Sequence, residues 1–231
     1  MLRSTLLTGV ALAFAASLAA QSAPAVKFPQ ASPPASLKQQ VGVTDIEITY
    51  SRPSMKGRTI FGGLVPYGEV WRTGANSAPK ITFNTAVKFE DTEVPAGTYE
   101  LFTIPGQSEW TVIIHQDKSQ WGTYAYDAKN DVARVTVKPE AAARTIETFA
   151  IGFNDLTNTS ATLNLAWENV RVPVKLTVDT VGSVVPQIDA ALAAQTQPNA
   201  MLLFSSAMFY LENGLDLNKA LEWMNAAIAA R

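Results

Sequence analysis

From residue 41 onward the chain alternates between apolar and polar positions. "TDIEITYS" puts Ile46, Ile48 and Tyr50 on one side of an extended backbone and Asp45, Glu47 and Thr49 on the other. That period of two is the pattern of a half-buried strand. "KITFNTAVKF" repeats it with Ile81, Phe83, Thr85, Val87 and Phe89. "GTYELFTIP" and "EWTVIIHQ" flank "PGQS", which reads as a hairpin with Gly106 at its turn. "DVARVTVK", "TIETFAIGF", "SATLNLAWE" and "VRVPVKLTV" complete a set of about eight short strands. Strands in this rhythm predict a mainly β fold, an antiparallel β-sandwich or barrel.

After Val178 the period changes. Residues 186–194 can form a short helix with Ile188, Ala191 and Leu192 on one side. Pro198 suits a first helical position. Phe204, Ala207, Met208 and Leu211 then recur at helical spacing, and Gly214 stops that helix. Asp216 is placed to cap a last helix whose inner face is expected to carry Ala220, Leu221, Met224, Ala227 and Ile228. This C-terminal α-helical hairpin looks like a single tetratricopeptide-type repeat, and one repeat cannot build a solenoid. It is expected either to cap the β domain or to offer a surface to a protein partner.

The N-terminus reads as an export signal. Arg3 precedes an apolar run over residues 5–20 and then small residues in "SLAAQSAP". A retained anchor helix is the competing reading, but the run is short for a membrane span. The expected organisation is a cleaved signal peptide at 1–22, a Pro- and Ala-rich linker at 23–40, a β-sandwich domain at 41–180 and a helical tail at 181–231. No span is expected in the mature chain, which would be periplasmic or secreted.

Composition narrows the chemistry. Of 231 residues, 47% are hydrophobic and 16% charged, as in a folded globular chain. A net charge of −2 gives no footing for nucleic acid. With no cysteine, disulfides, thiol catalysis and Cys-ligated zinc are excluded. The chain carries no G-x-S-x-G elbow, H-E-x-x-H, P-loop or dinucleotide fingerprint, so no cofactor and no metal is expected.

One segment breaks the alternation. Residues 51–80 hold Arg52, Lys56, Arg58, Arg72 and Lys80 against a single acid, Glu69. The segment is dense in Gly and Pro, so it should form loops on a rigid sheet. Guanidinium forks match carboxylate, phosphate or sulfate oxygens. Trp71 could stack on a sugar or an apolar ring, and Asn76 can both donate and accept. The competing reading has Arg52 and Arg72 paired with acids such as Glu69, with Trp71 in the core. A second loop, residues 115–131, gathers Trp121, Tyr124 and Tyr126 near Asp117, Asp127 and Asp131. It would form a cleft wall if it lies beside the cationic loop, or a lid on the sandwich end if it does not. His115 is the only histidine and reads first as a structural residue.

The runs "SRPSMKGRTIFGGLVPYGEVWRTGAN", "PAGTYELFTIPG", "EWTVIIH", "WGTYAYD" and "WENVRVPV" together resemble a bacterial exported family known as domain of unknown function 2911. The resemblance spans roughly residues 32–178, and the helical tail resembles tails found in that family. It implies an exported β-rich domain and no particular activity. The leading expectation is therefore binding of a small polar ligand, anionic or carbohydrate-like. Its site would hold Arg52, Arg58, Trp71, Arg72, Asn76, His115, Trp121 and Tyr124. A glycan or ester hydrolase in the same cleft, using His115 or a carboxylate pair, is the first rival. An envelope interaction protein acting through the helices is the second.

Overall fold

The computed structural model describes residues 26–116, 119, 121–197 and 199–230. The expected signal peptide, Asp117 and Pro198 lie outside the described residues. Among the described residues, ten antiparallel strands form two facing sheets. The first contains β1 (Pro34–Val41), β2 (Thr44–Ser51), β3 (Lys80–Phe83), β6 (Gly97–Ile104), β7 (Trp110–Gln116) and β8 (Asp131–Val137), in the order β1-β2-β3-β6-β7-β8. The second contains β4 (Val87–Phe89), β5 (Thr92–Val94), β9 (Glu140–Asn154) and β10 (Ser160–Val178), in the order β5-β4-β10-β9. The fold is a sandwich, not a closed barrel.

Alternation builds the core. Thr44, Ile46, Ile48 and Tyr50 of β2 are buried while their neighbours face outward. The run "KITFNTAVKF" is two strands in different sheets, not one. The chain turns at residues 84–86, yet Ile81, Phe83, Val87 and Phe89 all remain buried. The pattern survives the corner because both sheets pack on the same core, where Phe83 and Phe89 meet edge to face at 5.7 Å. Residues 34–41 pair with β2 from Pro34↔Ser51 to Val41↔Thr44. Gly42, at φ +57, supplies the two-residue turn between them.

Strands β6 and β7 are buried on both faces. Their outer face carries a second, smaller cluster of Phe102 and Ile113 with Ala78, and Tyr126 packs over it. Strand β10 changes the parity of its inward residues. Leu163, Leu165 and Trp167 point into the core, and then Val172, Val174 and Leu176 do. The switch is a bulge, with register shifts against β9 on both sides of Glu168.

The tail forms three helices. α1 (Thr180–Ala193) starts six residues earlier than the spacing predicts, because Asp179 caps it by accepting from the Gly182 N–H. α2 (Ala200–Glu212) and α3 (Leu217–Ala229) form the hairpin, with Gly214 at φ +64 between them and Asp216 capping α3. Ile188, Tyr210 and Ala220 give the tail its own small core. The α2 face is rotated from the expected one: Leu203, Ser206, Ala207 and Tyr210 are buried, while Phe204 and Leu211 are exposed. In α3, Leu221 and Ile228 likewise face outward. No helix among the described residues is long and apolar enough to cross a membrane.

Candidate functional site

After β2 the chain runs on beside β9. The Phe149 N–H donates to the Pro53 carbonyl at 2.9 Å, and the Met55 N–H donates to that of Glu147 at 2.8 Å. Lys56 and Gly57 then turn the backbone with φ of +50 and +73. Arg58 holds the turn by donating Nε to the Met55 carbonyl and Nη2 to that of Ser54. The next stretch is seated by Glu168, whose two carboxylate oxygens accept from the Ile60 and Phe61 N–H groups at 3.2 and 3.3 Å. Glu168 sits at the β10 bulge with φ +56, a costly backbone for a residue with a side chain. The bulge aims its carboxylate at the loop.

Trp71 enters the core. Its backbone exchanges two hydrogen bonds with Thr103. Its ring stacks on Trp167 at 5.9 Å and meets Phe61 and Phe149 edge to face. Its Nε1 donates to the Gly74 carbonyl. At 8% exposure, Trp71 belongs to the core and also lines the cavity.

The neighbouring Arg72 differs. It lines a cavity of about 490 Å3 together with Lys56 and Arg58, and among the described residues no Asp or Glu lines that cavity. The Arg72 Nε is buried with no hydrogen-bond partner. Glu69 is exposed and forms no bridge to it. Leu64 and Val65, with the edges of Trp71 and Trp167, form the apolar wall. A buried donor left unpaired costs roughly 1–3 kcal/mol, so Arg72 is held in place at a cost.

The other expected site residues lie elsewhere. Arg52 donates Nε to the Phe149 carbonyl at 2.9 Å, which braces β2 on β9, and it does not line the cavity. Asn76 donates to the Ser51 hydroxyl at 3.2 Å and is also outside the lining. His115 is 0% exposed. Its Nδ1 and Nε2 face the carbonyls of Gln116 and Asp127 at 2.8 and 3.2 Å, and Nδ1 is 3.7 Å from a Glu100 carboxylate oxygen. With Phe102 and Tyr126 rings at 5.5 and 5.3 Å, it has no face open to a substrate. Trp121 and Tyr124 lie on an exposed loop that touches Asn76 and Ser77 but does not wall the cavity. Among the described residues no group of three His, Asp or Glu side chains is placed to hold a metal.

Sequence reasoning left Lys56 out of the site and missed Trp167 and Glu168 altogether. The parity switch around "WENV" was the available sign of the bulge that carries Glu168. Residues 32–176 match the model of a family described as Protein of unknown function (DUF2911). No curated protein and no solved structure matches the chain.

Proposed function

The chain belongs to the DUF2911 family, whose function is unknown, so the reading rests on the site itself, and we propose that it binds a small organic anion in the Arg72 cavity. The observation that carries this is a cavity lined by Arg72, Lys56 and Arg58 and, among the described residues, by no acid. A carboxylate or phosphate would pair with the Arg72 guanidinium, and Lys56 and Arg58 would add charge around it. The ligand body, a sugar or a small apolar group, would lie against Leu64 and the tryptophan edges. The leader-like residues 1–22 support export, so the ligand would be met in the periplasm or outside the cell. The hydrolase reading has no carboxylate or imidazole in this cavity to work with.

The test is a thermal-shift screen of sugar acids, dicarboxylates and phosphates, with any hit titrated on Arg72→Lys. The substitution keeps the charge and loses the planar fork. Affinity is expected to fall roughly ten- to a hundredfold, the loss of a charge-assisted hydrogen bond worth about 1.5–3 kcal/mol. Unchanged affinity in an equally stable variant would remove Arg72 from the site.

One observation favours a second reading, a protein-binding role for the tail. Met201, Phe204, Met224 and Ile228 line an apolar groove between α2 and α3. Met201→Glu and Ile228→Glu change exposed groove positions, so the melting temperature should hold while cross-links to envelope proteins disappear. Cross-links that survive both changes would end this reading.

A further inference from the structure

The loop after β7 carries three aromatic residues with two different fates. Tyr126 closes over the outer face of the first sheet, with its ring 5.3 Å from Phe102 and its hydroxyl donating to Asp131 at 2.8 Å. Trp121 and Tyr124 turn the other way. They are 64% and 87% exposed, and their rings lie near-parallel, 12° apart in plane with centroids at 6.1 Å. Single exposed aromatics are ordinary, but two stacked near-parallel in solvent keep a preformed aromatic face open to it.

The backbone fixes that patch. Trp121 forms an isolated antiparallel bridge with Ser77, and the Gly122 N–H donates to the Asn76 carbonyl at 3.2 Å. Gly122 has φ +76, and a Cβ there would come within 3.0 Å of the Tyr124 ring. Glycine is what lets the ring fold back beside the indole. Lys80 Nζ donates to the Ser119 hydroxyl at 3.0 Å, a further tie between loop and sheet.

We propose that Trp121 and Tyr124 form a stacking platform for a pyranose ring of a glycan, separate from the Arg72 cavity. A pyranose has an apolar C–H face and a hydroxyl edge. Flat rings with polar tips match both, because the face stacks while the indole N–H and phenol hydroxyl reach the edge. The immediate neighbours Gly122 and Thr123 offer no aliphatic surface to hold an acyl chain, so the patch fits a sugar better than a membrane. The platform is independent of the anion site. It connects to it only through the chain, since Ala75 lines the cavity and Asn76 holds the loop.

The experiment uses the full chain and follows tryptophan fluorescence and titration calorimetry with cellotetraose, chitotetraose and a galacturonate oligomer. At least one should bind wild type. Trp121→Ala and Tyr124→Ala should each weaken it roughly three- to tenfold, the value of one aromatic stacking contact. Tyr124→Phe should keep most of the affinity. Both positions are exposed, so melting should not change, and Arg72→Lys should leave binding to the neutral sugars intact. The proposal is overturned if no oligosaccharide binds at millimolar concentration or if Trp121→Ala binds like wild type. It is equally overturned if the platform residues are needed for phosphatidylglycerol vesicles and for none of the sugars.

Discussion

The Arg72 cavity and the cluster around His115 both set charged side chains against aromatic walls, but they treat charge in opposite ways. In the cluster, acids and bases are matched. Glu100 faces His115, and Arg134 donates to both Asp131 and the Tyr126 hydroxyl. Lys80, Glu100, His115 and Asp131 are successive register partners across β3, β6, β7 and β8. In the cavity, three cations meet no acid, and one buried donor has no partner at all. In the cluster the buried charges sit against opposite charges, although Asp131 Oδ1 is itself left without a hydrogen-bond partner. An unmatched buried donor is a cost to the protein, and the three cations around the cavity leave positive charge there without an acid to balance it. The comparison therefore assigns His115 to the packed interior and supports the proposed binding at Arg72, although the lone histidine is the more conspicuous residue in the sequence.

The largest effect should come from breaking the matched cluster. Glu100→Ala strips a fully buried pair of one member and is expected to destabilise the fold by about 3 kcal/mol in urea unfolding. A change within a few tenths would mean that the pair does no structural work. Arg72→Met, the counterpart in the cavity, should leave stability the same or slightly higher, because it removes an unsatisfied buried donor. A marked loss of stability there would make Arg72 a brace and erase the contrast. The smallest effect is in pH. Desolvation, helped by the hydrogen bond to Asp131, pushes the Tyr126 hydroxyl up to about 12. The folded state then holds a proton that the unfolded chain gives up near 10. That contribution is complete below pH 10 and is lost as pH rises toward 12. Tyr126→Phe should flatten the decline of stability over this window, and an unaltered slope would assign it to other groups.

Much of the fold could be read along the chain because it is written in local chemistry. Alternation marked the core faces of β2, β3 and β4, and Gly214 and Asp216 marked the break between α2 and α3. These signals depend on residues a few positions apart. Helix α2 shows their limit. It is apolar nearly all round, so its spacing could not say whether Leu203 or Phe204 would face inward. The cationic segment was also legible as a candidate site, and Arg58 and Arg72 do line one cavity.

What each arginine does depends on contacts far away in the chain. Arg52 is occupied because Phe149, 97 residues on, presents a carbonyl to it, and Arg72 is unoccupied because nothing does. Glu168 seats residues 60 and 61 from 107 or more positions away. A sequence pattern fixes which face of an element is apolar, because that face is set by backbone geometry within the element. It does not fix which element packs opposite, because pairing between strands is decided by the joint burial of both sheets. The sequence by itself determined a mainly β fold, sandwich or barrel, with a helical tail and a basic loop. Only the tertiary structure decided that the sheets stay open as a sandwich and which of its charges find a partner.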